Sequence, residues 1–231
     1  MIPARLADRV RALGREFPGA LAVFDADGTL WREDVGEAFL RHLVSLGWVK
    51  LPDGSDPYQA YEREVDRDRA TGYAYAAQLQ AGLAAGQVSA EAAQFARGWV
   101  PARLIPDTQG LRAICAEAGL TPFVVSASAL PIVLAAAPLA GFEVSRCRGI
   151  EVRVRDGKFT TEVIPPITYG AGKIEAASRF GRIALACGDS FTGDLAMLEK
   201  ADIGVAVAPA NGSPLSIEAR KRGWAVLSQE N

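Results

Sequence analysis

Histidine and cysteine are scarce in this sequence, which has one histidine and three cysteines among 231 residues. His42 stands alone, and Cys115, Cys147 and Cys187 are widely separated, with no CxxC pair. No familiar zinc-ligand spacing is therefore present. We expect the cysteines to be ordinary small core residues, because unpaired cysteine is often buried.

Long apolar runs are also missing. The longest nearly uncharged stretch, residues 127–142, contains two prolines and is shorter than the about 20 apolar residues that a membrane-spanning helix needs. The first 17 residues mix apolar and charged side chains, which favours an amphipathic helix over a signal peptide. We expect a cytoplasmic protein that makes no use of a membrane.

Neither sign of charge is in large excess, since 25 Lys and Arg face 27 Asp and Glu and the formal net charge is −2. The basic residues are scattered singly or in pairs, so no basic stripe indicates nucleic acid as a partner. With 49% hydrophobic residues the chain can bury a full core. We therefore expect a small polar substrate rather than nucleic acid. We also expect a monomer or a homodimer.

Three short apolar runs each end in a cluster of polar residues. The runs are residues 21–25, 121–125 and 182–186, and helical patterns such as 111–118 and 171–180 lie between them. Alternating strands and helices predict an α/β fold with a doubly wound, Rossmann-like parallel sheet. Ligands of such sheets bind beyond the carboxyl ends of the strands, so the polar clusters should meet in one crevice.

Residues 31–103 differ from the rest, because they contain no convincing strand and show helical patterns near residues 34–46, 57–70, 73–83 and 89–100. We interpret them as a helical cap inserted into a catalytic core formed by residues 1–30 and 104–231. Within that core, alternation around Asp156-Gly157 predicts a hairpin over residues 143–162. Further strands are expected at 203–208 and 224–227, on either side of a helix at 214–222.

Carboxylates dominate two of the polar clusters. Asp25 and Asp27 stand in DADGT, and Asp189 and Asp194 stand in GDSFTGD. Two acidic clusters in one crevice would repel each other unless a cation lay between them. Oxygen ligands with so little histidine and cysteine favour Mg²⁺, which commonly binds carboxylates together with a phosphate.

A phosphate in the same crevice would need positive charge and hydrogen-bond donors. Lys173, on the predicted helix that begins near TYGAGK, is a candidate for neutralising phosphate charge, and Ser126 can donate its hydroxyl. Taken singly, an exposed lysine at a helix start and a turn serine are the alternative interpretations.

The segments DADGTLW, VVSAS, AGKIEAA and GDSFTGDLAML resemble, in order and spacing, the four motifs of the haloacid dehalogenase superfamily. The resemblance spans residues 23–198. It implies that Asp25 attacks phosphorus to form an aspartyl-phosphate, and that Asp27 acts as general acid and then as general base.

The same resemblance implies roles for the remaining motif residues. Asp25, the backbone carbonyl of Asp27, and Asp189 would hold Mg²⁺. The phosphate-binding group comprises Ser126 and Lys173, with Thr29 and Ala127 beside them. Asp194 would orient Lys173 or hold a metal-bound water.

The cap and the hairpin resemble the phosphoserine phosphatase branch of the superfamily, which includes phosphocholine phosphatases. Asp34 lies nine residues after Asp25, where that branch tends to place a glutamate that meets the substrate ammonium. An amino-bearing or quaternary-amine phosphate is therefore expected, with helix capping as the alternative role of Asp34. Aromatic residues in or beside the cap would either surround a choline-like cation or pack in the hydrophobic core of the cap. They are Trp31, Tyr58, Tyr61, Tyr73, Tyr75 and Trp99.

The resemblance also implies that the protein is not a dehalogenase, because the dehalogenases of the superfamily do not keep an acid at the position of Asp27. The resemblance thus implies a hydrolase that acts on a small-molecule phosphate ester. The alternative reaction is that of a phosphomutase or phosphotransferase, in which the phosphoryl group passes from Asp25 to a sugar or an alcohol instead of water. A catalytically idle module that binds a phospho-ligand is the alternative from another class, since a fold does not determine a function.

Overall fold

A seven-stranded sheet organises the protein, for which a computed structural model describes residues 2–230. The strand order is β4-β3-β2-β1-β5-β6-β7, and every neighbouring pair is parallel except β3 and β4. The strands are β1 (Leu21–Phe24), β2 (Thr121–Ala129), β3 (Cys147–Arg155), β4 (Lys158–Ile164), β5 (Ile183–Gly188), β6 (Ile203–Ala208) and β7 (Ala225–Ser228).

Helices cover both faces of the sheet. They are α1 (Ala4–Glu16), α2 (Val35–Ser45), α3 (Pro57–Arg67), α4 (Arg69–Gln78), α5 (Ala85–Trp99), α6 (Pro106–Glu117), α7 (Leu130–Ala136), α8 (Ala171–Ser178), α9 (Phe191–Lys200) and α10 (Pro214–Arg222). Buried side chains of α8, α9 and α10 pack on one face, whereas those of α1, α6 and α7 pack on the other. The predicted doubly wound α/β fold is confirmed. No helix among residues 2–230 has the length and apolar character needed to cross a membrane.

The order of the strands in the sheet creates a crevice, because the chain leaves β1 towards one edge of the sheet and later continues towards the other. From central β1 the chain adds β2 and β3 on one side, and it later adds β5, β6 and β7 on the other. The order reverses between β1 and β5, whose partners Phe24 and Cys187 are in register. In sheets of this kind ligands bind at such a switch point, beyond the carboxyl ends of the strands. Asp25 and Asp189 directly follow these two strand ends.

The predicted hairpin is present as β3 and β4, with Asp156 and Gly157 both at positive φ in its turn. Other boundaries differ from expectation. β2 continues to Ala129 instead of ending at Val125, because it pairs with β3 on both sides of an irregularity in register. The helix expected over 57–70 ends at Arg67, where Asp68 leaves helical geometry and its carboxylate caps α4.

Residues 31–103 contain α2 to α5, and their two ends lie side by side. Trp31 bridges to Leu104, and the amide of Arg32 donates to the carbonyl of Arg103 over 2.9 Å. The amide of Gly82 donates to the carbonyl of Phe159 at 2.8 Å, so this helical segment also contacts the β3–β4 hairpin. The segment thus leaves the sheet at the end of β1 and returns beside the same point.

Candidate active site

Asp25 lies at the centre of the crevice, one residue beyond β1, and its side chain is buried. Its Oδ1 accepts from Lys173 Nζ at 2.5 Å, and its Oδ2 accepts from the Thr29 hydroxyl at 3.3 Å. Burial raises the pKa of Asp25 to about 7, and the charge of Asp194 adds to this rise while Lys173 opposes it. A buried carboxylate with one cationic partner is therefore presented at the switch point.

Lys173, on α8, is only 3% exposed and lies between two carboxylates. Its Nζ donates to Asp194 Oδ1 at 2.6 Å as well as to Asp25. Burial alone would lower the pKa of Lys173, but Asp194 and Asp25 outweigh burial and raise it. The interpretation of Lys173 as an exposed lysine at a helix start is wrong, since the amine is buried between two carboxylates.

Asp194 is fully buried on α9, and its carboxylate accepts hydrogen bonds from three donors around the site. Oδ1 accepts from Lys173, while Oδ2 accepts from the amides of Asp189 and Ser190 at 3.1 and 2.9 Å. Ser190 caps α9 by accepting from the amide of Gly193. Asp194 therefore fixes both the lysine and the loop after β5.

Asp189 completes a carboxylate cluster that fits a hard divalent cation. Oxygens of Asp25, Asp189 and Asp194 lie within 4.8 Å of one another. Burial, together with the charges of Asp25 and Asp194, raises the pKa of Asp189 well above its usual range. Part of this rise comes from neighbouring carboxylates whose charge Lys173 offsets incompletely. Oxygen donors without nitrogen or sulfur suit Mg²⁺.

Gly28 allows the two acidic loops to approach each other. It has a φ of +74°, and a Cβ placed on it would lie 2.3 Å from Asp189 Oδ2. A side chain here would be strained in its backbone and would occupy the position of the carboxylate. The glycine of DADGT is therefore required by the contact between the loops as well as by the turn.

Asp27 is held by four hydrogen-bond donors. Its Oδ1 accepts from Trp31 Nε1 at 2.8 Å and from the amide of Val35 at 2.7 Å. Its Oδ2 accepts from the hydroxyls of Ser126 and Ser128 at 3.2 and 2.8 Å. The two serines reach the same oxygen because residues two apart on a strand face the same side. The carboxylate is thus oriented from β2 and from the helical segment together.

The remaining residues predicted for the site are distributed around it. Thr29 is buried and also contacts Asp189 Oδ1 at 3.4 Å. Ala127 lines the cavity beyond Asp25. Asp34 caps α2 by accepting from the amide of Glu37 at 2.8 Å, and it lines the same cavity. Burial and the charge of Asp27 raise the pKa of Asp34 well above its usual range.

Several residues around the site were missed by sequence reasoning. Ser128 would have been found if β2 had been extended past Val125, because it follows Ser126 at strand spacing. Tyr169 lines the cavity, and its ring lies 5.4 Å from that of Tyr73, which the sequence had already indicated among the aromatic residues of the cap. Gln229 donates from Nε2 to the carbonyl of Gly28 at 2.7 Å across 201 positions of sequence, which no local pattern can reveal.

The cavity above these groups measures about 340 Å³ and opens to solvent. Asp25, Asp27, Lys173 and Asp189 line its floor, whereas Asp34 and Tyr73 belong to the helical segment. Its size is at the lower end of the range of ligand-binding cavities, about 300–1,000 Å³. The cavity has room for a small group next to the buried carboxylate of Asp25 and the amine of Lys173.

Solved structures with the same fold include a protein of unknown function from Bordetella pertussis Tohama I, with a TM-score of 0.78, 19% identity and coverage of 92% of this chain and 100% of that one. A functionally unknown protein from Anaerococcus prevotii DSM 20548 matches with a TM-score of 0.71 and 17% identity, over 97% and 90%. A phosphoserine phosphohydrolase-like protein from Francisella tularensis matches with a TM-score of 0.57 and 16% identity, over 81% and 87%. At these identities the likeness establishes a shared fold.

A search of curated proteins found no match to the sequence. The model of the haloacid dehalogenase-like hydrolase family matches residues 22–199, which include Asp25, Asp27, Ser126, Lys173 and Asp189. This match covers most of the chain and begins and ends within one residue of the span of the four motifs. The chain therefore belongs to the haloacid dehalogenase-like hydrolase family.

Proposed function

We propose that the protein is a Mg²⁺-dependent phosphatase that hydrolyses small phosphate monoesters through an aspartyl-phosphate on Asp25. One observation carries this proposal. Asp25 is buried at the switch point of the sheet, bonded to Lys173 and within 4.8 Å of other carboxylate oxygens, and it faces a cavity of about 340 Å³. Membership of a hydrolase family agrees with this chemistry.

The metal would be held by Asp25, Asp189 and the backbone carbonyl of Asp27. When bound, Mg²⁺ supplies charge neutralisation for the phosphoryl group and the attacking carboxylate. Asp25 then attacks phosphorus, the bond to the alcohol oxygen breaks, and the phosphoryl group stays on the carboxylate. Lys173 offsets the charge of Asp25 and of the phosphoryl oxygens, and Ala127 lines the same cavity. Thr29 and Ser126, the other two predicted phosphate ligands, are buried against Asp25 and Asp27.

Asp27 serves both half-reactions. It gives a proton to the departing alcohol, and it then takes a proton from the water that attacks phosphorus and regenerates Asp25. Ser128 suits both states, because a hydroxyl can donate to the ionised carboxylate and accept from the protonated one. Trp31 Nε1 and the amide of Val35 keep Oδ1 in one orientation throughout. Asp194 keeps Lys173 in place.

Residues 31–103 would act as a cap that selects the leaving group over a core made of residues 1–30 and 104–231. Asp34 and Tyr73 of this segment line the cavity that holds the reacting carboxylates. An acidic side chain at that position favours a leaving group that carries an amino or quaternary ammonium group. A panel of phosphate esters compared by kcat/KM with Mg²⁺ tests the substrate class.

Removal of the metal tests the proposed cofactor. Hydrolysis of p-nitrophenyl phosphate should disappear in excess EDTA and return when Mg²⁺ exceeds the chelator. Because burial raises the pKa of Asp25 to about 7, a bound proton must leave before the metal binds below that pH. The apparent Mg²⁺ affinity, read from the Mg²⁺-induced rise in Tm, should weaken by up to about tenfold for each pH unit below 7. Full activity in EDTA, or an affinity that is constant from pH 8 to 5.5, contradicts the proposal.

Ser128 tests how Asp27 is oriented. The substitution Ser128→Ala removes the shorter of the two hydroxyl contacts to Asp27 Oδ2. A lost hydrogen bond to a charged group costs about 1.5–3 kcal/mol, so kcat should fall by roughly ten- to a hundredfold. Substrate binding should change less, because the hydroxyl of Ser128 donates to Asp27, whose proposed role is proton transfer. Ser89→Ala on α5 is the control, since that hydroxyl bonds only to the carbonyl of Ala85.

A further inference from the structure

The carbonyl oxygen of Gly28 accepts a hydrogen bond from a residue far along the chain. Nε2 of Gln229 donates to it at 2.7 Å. Among residues 2–230, no backbone amide donates to this oxygen, whereas the amide of Gly28 donates to the carbonyl of Trp31 at 2.9 Å. A local contact therefore holds the amide of Gly28, and Gln229 holds its carbonyl.

Gln229 can hold another segment in place because its own backbone is anchored. It directly follows β7, and its amide donates to the carbonyl of Ala208 at 3.0 Å, which continues the pairing of β7 with β6. Glu230 adds two contacts, since its amide donates to the hydroxyl of Ser228 at 3.0 Å and its Oε1 accepts from the amide of Ala210 at 3.3 Å. The half-buried side chain of Gln229 thus extends from a fixed edge of the sheet.

The DADGT turn (residues 25–29) reaches across the sheet towards Gln229. β5 and β6 separate β1 from β7, so these two strands are about 14 Å apart at about 4.8 Å per step. Gly28 also lies against Asp189, because a Cβ built on this glycine would overlap Asp189 Oδ2. The hydrogen bond from Gln229 therefore fixes the turn where it contacts the loop that follows β5.

An external contact matters here because the turn does not fix its own conformation. Gly28 has a φ of +74°, and a glycine has no side chain that would restrict its backbone. The proposed metal ligands are Asp25, the carbonyl of Asp27, and Asp189, and two of these three belong to the turn. A loop that is already ordered loses less conformational entropy when a ligand binds, so the ligand binds more tightly.

We propose that Gln229 is a positioning residue that orders the DADGT turn for Mg²⁺ before the ion binds. The inference rests on the proposed Mg²⁺-dependent function and deepens it, because it identifies what keeps two of the ligands in place. Gln229 lies outside the four motifs and outside residues 22–199, which match the family model. The family resemblance therefore assigns it no role.

The substitution Gln229→Met tests this role, because it keeps the length of the side chain and removes the N–H donor. In EDTA, the amide of Gly28 should exchange its hydrogen about three- to tenfold faster, as expected for the loss of one hydrogen bond between neutral groups. NMR of the full chain measures this rate. Calorimetric titration with Mg²⁺ should show an affinity weakened by a similar factor. At saturating Mg²⁺, kcat for p-nitrophenyl phosphate should stay within about twofold of wild type, because the turn is ordered once the ion is bound.

Two further variants separate the hydrogen bond from other effects of the substitution. Gln229→Lys retains an N–H donor and should keep the exchange rate of Gly28 within about twofold of wild type. Gln94→Met, at an exposed position of α5, is the matched control and should behave as wild type in all three measurements.

Several results would overturn the role of Gln229. They are an unchanged exchange rate of Gly28 in Gln229→Met, an unchanged Mg²⁺ affinity, and a loss of kcat that saturating Mg²⁺ does not reverse. Equally fast exchange in Gln229→Lys would also overturn it, since packing of the side chain and not its donor would then order the turn. A wild-type protein that binds no Mg²⁺ would instead contradict the proposed cofactor, and hydrogen exchange in EDTA would still decide whether Gln229 orders the turn.

Discussion

Asp25→Asn should lower the hydrolysis of p-nitrophenyl phosphate by at least about 10⁴-fold, the order of loss seen when a covalent nucleophile is removed. An amide oxygen carries no charge and is a poor nucleophile, so the first half-reaction has no attacking group. Lys173 and Asp194 remain, and they still hold the site together through their 2.6 Å contact. The loss should therefore appear in kcat without collapse of the fold.

The fold of this variant can be checked through the pH dependence of its stability. Because the pKa of Asp25 is raised to about 7 in the folded protein, its ionisation destabilises the wild type progressively as pH rises from about 4 to 7. Asparagine does not ionise. The Tm of Asp25→Asn relative to wild type, measured in EDTA, should thus increase as pH goes from 5 to 8.

A matched control tests whether an Asp→Asn change outside the site has any effect of its own. Asp66→Asn changes an exposed carboxylate on α3 and should leave both turnover and Tm as in wild type. Undiminished turnover in Asp25→Asn would end the proposed mechanism. Loss of turnover together with a lost circular dichroism spectrum would assign Asp25 a structural role instead.

The fold was predictable because its main signals are local. Apolar runs such as residues 21–25, followed at once by polar clusters, marked the strand ends, and Asp156-Gly157 marked the hairpin turn. The boundary of β2 was missed because the pairing of Ala129 with Ile150 on β3 extends it, and that pairing involves residues distant in sequence. Local propensity at Ser126 favoured a turn, and tertiary pairing overrode it.

The candidate site was partly predictable for the same reason. Motif residues at strand ends had to meet at one edge of the sheet, and the structure brings Asp25, Lys173, Asp189 and Asp194 into contact there. The partners of each side chain did not follow from the sequence. Ser126 is predicted to bind the phosphate, and the structure adds a contact that the motif did not indicate, since its hydroxyl donates to Asp27.

Lys173→Met should be the most destabilising change at the site. It leaves Asp25 and Asp194 buried without their shared cation, and breaking a buried ion pair from one side typically costs about 3–5 kcal/mol. Since domains of this size lose about 2–4 °C in Tm per kcal/mol, the expected loss in Tm is about 6–20 °C. Turnover should fall by at least about a thousandfold, because the phosphoryl charge also loses its amine.

The electrostatic origin of the lower Tm of Lys173→Met can be tested by changing the charge on Asp25 and Asp194. Protonation of the stranded carboxylates would relieve their repulsion, so the deficit in Tm should shrink as pH falls from 8 to 5. Adding Asp194→Asn to Lys173→Met removes one of the two stranded charges, and it should recover part of the Tm without restoring turnover. Lys200→Met, at the exposed end of α9, is the control and should change neither quantity. A Lys173→Met protein as stable as wild type at pH 8 would mean that the buried carboxylates do not depend on this amine, and the electrostatic account of the site would then be wrong.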